Sequence, residues 1–357
     1  MLRLARLSWC GSLLSLACSA AKPAPSAAAP VASIAALQPT AAPAPGPAAA
    51  PLPQTPGSDA DAGGVVHWKG SRVSLWAPKA MRRPTRLQYL RQDDPLIVVA
   101  VAELTARDPA ETKSMLAGAA RGAAVSDEKP VKRGNAQGFS GQAAPDITGL
   151  SRRVVALADG PAVTVVIVQY QAAAASVADK ISESVTLDGS QSLDPLALNG
   201  IKIGDDAGFS VSDAASHPVT FFEKGKPTPL RPGEPLFELL SVPYPKPDTS
   251  DRELGALLGV TLGHYAPDMS KANLNSFEIS HGPAFVMSVP GKADGVAVGL
   301  YAFIVRRPDT AFIGFGHVRP LAMKDVAPRF ERLVKSIELD DSVFSPGIAS
   351  ETVKKSQ

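Results

Sequence analysis

The pattern of hydrophobic and polar residues predicts an antiparallel sheet in the first half of the body of the chain. Residues 72–76 alternate as in a half-buried strand, and residues 86–90 are expected to pair with them. Residues 96–102 are continuously apolar, as in a strand that is covered on both faces. Two longer apolar runs, 151–158 and 162–170, flank an Asp-Gly pair that is typical of a tight hairpin turn.

Two helices are predicted around these strands. The first starts at Asp108, because Asp is a favoured N-cap and Pro109 suits a first turn, and it continues to about Gly122. The second covers about Ala174 to Ser184, where apolar residues fall on one stripe.

The second half of the chain repeats this order. Strands are predicted at 209–211, 219–222, 235–240, 296–305 and 311–318, and a last helix is predicted over 323–337. Ser250 and Glu253 have the spacing of a capping box at a helix start. Segments 181–188 and 333–340 share one pattern: apolar, two spacers, Ser, apolar, spacer, Leu, Asp. The repeat therefore predicts a duplicated domain.

Strands, a helix, more strands and a last helix predict an α+β fold in two tandem copies, each a mostly antiparallel sheet packed with helices in an α/β/α sandwich. The strands at 72–75 and 209–211, the Pro-headed apolar strands, and the Ser-Val and Ser-Ile helix ends resemble the PsbP-like fold. That fold is found in bacterial DcrB-like lipoproteins and in photosystem accessory proteins. The resemblance implies an accessory or binding protein, and it carries over no functional residue. This chain departs from the family in being doubled.

The first residues indicate export. Two arginines precede a short apolar stretch, which is typical of a secretory signal and too short to span a bilayer. Its end at Ala17-Cys18 resembles the lipobox of bacterial lipoproteins, although Ser15 replaces the usual branched apolar residue. We therefore expect acyl chains such as palmitate on Cys18. Ordinary cleavage after Ala20 or Ala21, which would release a soluble protein, remains the alternative.

The remaining boundaries follow from composition. We predict a signal peptide at 1–18, a disordered Ala/Pro-rich tether at 19–64, domains at 65–188 and 208–341, a linker at 189–207 and a C-terminal tail at 342–357.

Composition also narrows the class of function. Lys and Arg total 36 against 34 Asp and Glu, a balance that argues against nucleic-acid binding. Both cysteines lie in the first twenty residues, so the body has no disulfide and no cysteine-ligated metal. The histidines lack metal-binding spacing, and no GxSxG motif or phosphate loop occurs. The sequence therefore predicts no catalytic residue, no metal and no cofactor.

Two weaker features are candidate contact sites. Arg82, Arg83, Arg86 and Arg91 cluster just beyond the tether, where they could face an anionic lipid surface or could simply form a solvated hairpin. Gly314 and Gly316 share one face of a predicted strand. Their missing side chains fit either a close approach by the last helix or the floor of a ligand pocket.

We therefore expect a non-catalytic binding or scaffolding module, anchored in the cell envelope and facing the periplasm or the cell surface. Its expected partners are the membrane, through the N-terminal lipid, and an unidentified envelope protein. A carrier of a small ligand or lipid, with a pocket in or between the domains, is the alternative function. A secreted soluble protein is the alternative location.

Overall fold

The fold is described from a computed structural model, which describes residues 63–83, 88–143, 145, 149–226, 233–243, 250, 253, 258–259, 262–279, 282–306 and 310–340. The predicted signal peptide, nearly all of the tether and the C-terminal tail lie outside these residues. Within them, the chain forms a mixed α+β fold in which all paired strands are antiparallel.

We call residues 63–188 the first lobe. It contains β1 Gly63–His67, β2 Val73–Pro78, β3 Tyr89–Asp93, β4 Leu96–Thr105, α1 Pro109–Gly122, β5 Lys129–Arg133, β6 Ala136–Ala143, β7 Ser151–Asp159, β8 Ala162–Tyr170, α2 Ala175–Ser184 and β9 Thr186–Leu187.

We call residues 201–340 the second lobe, which follows a short helix, α3 Pro195–Leu198. It contains β10 Ile201–Ile203, β11 Phe209–Val211, β12 Val219–Glu223, β13 Leu236–Pro243, β14 Asn273–Ile279, β15 Gly282–Ala293, β16 Val296–Arg306, β17 Thr310–Val318, α4 Met323–Lys335 and β18 Ile337–Leu339.

The large sheets of the two lobes have the same strand connectivity. The first is ordered β3-β4-β8-β7-β6-β5, and the second is ordered β11-β12-β13-β17-β16-β15-β14. Apart from β11, each strand of one sheet thus has a counterpart in the other. Both lobes also end in the same way. After the last helix of each lobe, a short strand pairs with an early strand: β9 with β2 in the first lobe, and β18 with β10 in the second.

Three of the predicted helices are confirmed, with small changes at their ends, whereas most of the helix predicted to start at Ser250 lies outside the described residues. In α1, the carboxylate of Asp108 accepts a hydrogen bond from the backbone N–H of Glu111 at 2.8 Å, which satisfies a free amide of the first turn. In α4, the predicted apolar stripe is buried through Val326, Phe330, Leu333 and Val334. The helix ends at Lys335, however, so Ser336 is its C-cap and the last predicted residue, Ile337, begins β18.

Two expectations about strands need correction. The predicted partner strand of residues 72–76 begins only at Tyr89 and pairs with β4, whereas β2 pairs with β1 and β9. The reason is that β4 is a central, largely buried strand and needs a neighbour on each edge. The hairpins β5-β6 and β14-β15 were also not predicted, because their Lys, Pro, Gly, Asn and Gln residues obscure the alternating pattern.

Each lobe has its own apolar core. In the second lobe, the sheet is covered on both faces. Under α4 lies a cluster of five phenylalanines, Phe209, Phe221, Phe237, Phe303 and Phe330, with ring centroids 5.3–5.8 Å apart for neighbouring pairs. The described helices include none that is long and apolar enough to cross a membrane.

Candidate functional site

The two lobes meet through backbone pairing at the end of β4. Residues 213–216 run beside this strand: Thr105 N donates to Ala214 O at 2.9 Å, and Ser216 N donates to Glu103 O at 2.9 Å. The side chain of Ser216 adds a third contact, because its Oγ accepts a hydrogen bond from Glu103 N at 3.0 Å. We call this contact and the side chains around it the lobe junction.

A fully buried carboxylate stands at the centre of the lobe junction. Glu103 is 0% exposed, and its oxygens accept hydrogen bonds from Arg72 N at 2.9 Å and Arg72 Nε at 3.3 Å. Gln88 Nε2 donates to the same carboxylate at 2.6 Å, and Ser71 Oγ donates to it at 2.5 Å. A buried charge is tolerated only when it is paired and hydrogen-bonded, and both conditions hold here.

The guanidinium of Arg72 has partners beyond this carboxylate. Its Nη2 donates to Leu104 O at 2.8 Å, and its Nη1 donates to Thr105 Oγ1 at 3.3 Å. Thr105 Oγ1 in turn donates to Asp213 O of the second lobe at 2.8 Å. The ion pair of the first lobe is therefore connected by hydrogen bonds to the segment that carries Ser216.

Residues 189–200 link the two lobes, and they form hydrogen bonds on both sides of the lobe junction. Asn199 Nδ2 donates to Ser216 O at 3.1 Å and to Pro195 O at 2.7 Å. From the first lobe, Arg83 Nη2 donates to Leu198 O at 2.8 Å. The lobes are thus joined by hydrogen bonds through the linker as well as directly.

A half-buried histidine, His217, follows the junction serine directly. Both ring nitrogens of His217 are inaccessible to water and have no hydrogen-bond partner within the described part of the chain. Burial lowers the pKa of His217 to about 4, because the protonated ring would be charged in an apolar site. This histidine is therefore neutral near pH 7.

The candidate basic surface is less positive than its sequence suggests. Arg82 Nη2 and Arg91 Nε each bond a different oxygen of Asp93, both at 2.6 Å. The hydrogen bond from Arg91, together with the charge of Arg82, holds the pKa of Asp93 below its usual range. Arg83 donates to the linker, and Arg86 lies outside the described residues. The structure therefore does not show the four arginines as one surface.

Aromatic rings occupy the space above the two glycines of β17. A Cβ on Gly314 would overlap the ring of Phe303, and a Cβ on Gly316 would lie 2.8 Å from the ring of Phe330 on α4. The missing side chains therefore make room for the phenylalanine cluster. Two surface grooves, of about 490 and 460 Å³, lie elsewhere, along α4 and around Arg133, and charged residues line both.

Among the described residues, no group of three or more His, Cys, Asp or Glu side chains could hold a metal ion. His67 Nδ1 lies 3.1 Å from Ser74 Oγ, and His317 is buried on β17 beside the ring of Tyr265 at 5.4 Å. Cys18 and His281 are outside the described residues.

Sequence reasoning missed the lobe junction. A signal for it was present, because Glu103 is the only charged residue in the apolar run of β4. A carboxylate in a strand covered on both faces requires a buried cationic or hydrogen-bonding partner. The partner itself could not be deduced, since Arg72 lies far away in the sequence.

No protein-family model matches the sequence, and no curated protein matches it. Among solved structures, the T6SS immunity protein TplEi from Pseudomonas aeruginosa is 12% identical with a TM-score of 0.31, covering 78% of this chain and 97% of that chain. A chain of the Tle4–Tli4 complex is 11% identical with a TM-score of 0.32, covering 79% and 99%. Cyanobacterial PsbP from Synechocystis is 8% identical with a TM-score of 0.25, covering 39% and 91%. Similarities this low assign neither function nor partner.

Proposed function

We propose that this chain is an exported, lipid-anchored envelope protein that binds or scaffolds a partner protein and performs no catalysis. The observation that carries the proposal is the lobe junction. Backbone pairing joins the lobes, and a buried ion pair of the first lobe lies directly beside it, so the lobes can present one preformed surface to a partner. A preformed surface lowers the entropy cost of binding, because few groups need to be ordered on association.

The proposed location rests on the leader. Cys18 stands at the end of the signal-like stretch, and the Ala/Pro-rich segment 19–64 separates it from the lobes. Acyl chains on Cys18 would hold the protein on the membrane, since each buried methylene contributes about 0.8 kcal/mol. An extended tether could reach on the order of 100 Å at about 3.1 Å per residue, which would let the lobes contact partners away from the bilayer.

The leader offers a matched control for this location. Cys18→Ala should move the protein out of the membrane fraction of lysed cells, whereas Cys10→Ala should leave it there. If both variants sediment with membranes as the parent does, anchoring through Cys18 is wrong.

We also infer that the lobes are two copies of one PsbP-like unit. Their shared strand connectivity supports this, and so do their helix ends. Ser184 Oγ donates to Ile181 O at 2.7 Å, and Ser336 Oγ donates to Leu333 O at 2.9 Å, so the repeated sequence pattern makes the same local bond twice.

The binding function is tested by crosslinking in intact cells. A photoreactive residue at exposed positions of both lobes should capture the same protein, and a matched site within the tether should capture it much less. The carrier alternative predicts instead a bound small molecule at one per chain in native mass spectrometry, with no captured protein. That pair of results would overturn the proposal.

The basic residues are proposed as a secondary contact with lipid. In the Cys18→Ala background, Arg82→Gln with Arg91→Gln should lower binding to vesicles that contain anionic lipid, with no effect on neutral vesicles. Since both arginines share Asp93, the loss should be at most a few-fold. If the Cys18→Ala chain binds anionic vesicles equally well with and without the two arginine substitutions, Arg82 and Arg91 do not contact lipid.

A further inference from the structure

Strand β14 forms one end of the seven-stranded sheet, and it pairs only with β15 within the described residues. Asn273, Asn275 and Ser276 are exposed. No backbone hydrogen bond to another described segment covers its outer edge. An uncovered edge strand presents a row of free N–H and C=O groups, which can pair with another strand.

The counterpart edge in the first lobe is protected. Strand β5 reads Lys-Pro-Val-Lys-Arg, and Pro130 has no N–H to donate, while three cationic residues oppose self-pairing. Strand β14 reads Asn-Leu-Asn-Ser-Phe-Glu-Ile and has no Pro, Lys or Arg. Of the two equivalent edges, only β14 lacks these devices against strand pairing.

An exposed aromatic ring lies on the strand next to this edge. Phe285 on β15 is directly opposite Ser276, and 46% of its surface is exposed. Few large apolar residues in the described chain are exposed to this degree. Opposite residues of an antiparallel pair lie on the same face of the sheet, and serine is too small to cover the ring.

We propose that β14 pairs antiparallel with β14 of a second copy of this chain, with Ser276 opposite Ser276. This residue is the midpoint of the seven-residue strand, so the register pairs all seven residues. It also places the only charged position of the strand, 278, opposite position 274 rather than opposite itself. No like charges within β14 would therefore face each other.

The same register gives each exposed ring a partner. Phe285 of each copy would lie on the same sheet face as the two serines, one strand beyond them on either side. Adjacent strands are about 4.8 Å apart, so the two phenylalanine backbones would be separated by about 14 Å. Both rings can lean across the small serines toward each other. Because each copy supplies the ring that covers the other, a second copy fits this edge.

The contact should be weak. Pairing one seven-residue strand with its copy buries less than the roughly 1,200 Å² typical of stable interfaces. The dimer should therefore dissociate on dilution.

Disulfide trapping tests the register directly. Opposite Cα atoms in an antiparallel pair are about 4.5–5.5 Å apart, within the range that a disulfide spans. In intact cells under mild oxidation, the full chain with Ser276→Cys should form a dimer at least ten times more than the full chain with Ser114→Cys, an exposed control on α1. The parent chain shows the background from its own cysteines. Equal trapping of the two variants would overturn the proposal.

A second measurement does not depend on a new cysteine. Sedimentation velocity of the purified full chain should show a concentration-dependent dimer that Ser276→Lys abolishes, because two ammonium groups would then face each other. Ser114→Lys should dimerise as the parent does. Circular dichroism of the three proteins should coincide. A parent that stays monomeric as its concentration is raised, or a Ser276→Lys chain that dimerises normally, would show that the proposal is wrong.

Discussion

Two reciprocal hydrogen bonds connect Ser216 with Glu103 across the boundary between the lobes. The N–H of Ser216 donates to the carbonyl of Glu103 at 2.9 Å, and the N–H of Glu103 donates to Ser216 Oγ at 3.0 Å. The carboxylate of the same glutamate is buried against Arg72. One residue therefore connects the interior of the first lobe with the backbone of the second.

Removing the buried carboxylate should destabilise the protein strongly. Glu103→Ala would leave the guanidinium of Arg72 buried without its counter-charge, which typically costs about 3–5 kcal/mol. Urea unfolding followed by circular dichroism measures the loss. Glu338→Ala, which removes an exposed carboxylate on β18, should change the free energy of unfolding by about 0.5 kcal/mol or less.

A double variant separates charge burial from loss of packing. Glu103→Leu combined with Arg72→Met removes both charges and keeps apolar volume, so it should be more stable than Glu103→Ala alone. If Glu103→Ala costs less than about 1 kcal/mol, the carboxylate is not buried as described.

Ser216→Ala tests the lobe junction from the second lobe. The substitution leaves the buried N–H of Glu103 without its acceptor, and an unsatisfied buried donor costs about 1–3 kcal/mol. Exchange of that amide with deuterium should become faster, as should exchange at Thr105, whose N–H pairs with the same segment. Ser114→Ala on the exposed face of α1 is the control. Unchanged exchange at both amides would contradict the described pairing.

Gly314→Ala tests whether the space above β17 is filled. The added methyl group would collide with the ring of Phe303, and overpacking of a core costs about 1–3 kcal/mol. Gly64→Ala on β1 meets no atom within 4 Å and should be neutral or slightly stabilising. Thermal unfolding compares the two variants. A neutral Gly314→Ala would indicate open space there and would favour a pocket.

The inaccessible ring nitrogens of His217 should make the stability of the protein fall in acid. Burial lowers the pKa of His217 from 6.5 to about 4, so between these values the unfolded chain binds a proton that the folded chain does not. Stability contributed by the neutral ring is therefore present above about pH 6.5 and is lost as pH falls toward 4. Between pH 7 and about pH 4.5 this loss is about 2 kcal/mol.

Urea unfolding at the two pH values measures this effect. Between these pH values, the free energy of unfolding of His217→Phe should fall by about 2 kcal/mol less than that of the parent. His67→Gln changes an exposed histidine, so its free energy of unfolding should fall as much as that of the parent. An identical pH dependence of the parent and His217→Phe would contradict the exclusion of water from these ring nitrogens.

Much of the secondary structure could be predicted because it depends on local patterns. The N-cap at Asp108 and the apolar stripe of α4 are encoded within single helices, and both are found where expected. Strand pairing was predicted less well. The partner of β2 was missed because register is set by distant segments, and the polar hairpin β5-β6 lacks the alternation that reveals a strand.

The candidate sites were also only partly predictable from the sequence. The arginine cluster was visible as a run of charges, but the sequence could not show that Arg82 and Arg91 share one aspartate while Arg83 contacts the linker. The paired glycines of β17 indicated missing side chains. Which rings fill the space above them depends on the pairing of β16 with β17, which places Phe303, and on the docking of α4, which places Phe330.

The sequence by itself determined three helices, the longer apolar strands, the repeated helix ends and the signal-like leader, since each depends on residues close together in the chain. Only the tertiary structure decided that Glu103 meets Arg72 and Ser216, that the ring nitrogens of His217 are inaccessible to water, and that β14 is the last strand of its sheet among the described residues. Burial and edge position are properties of packed elements, and they arise when segments distant in sequence exclude water from one another.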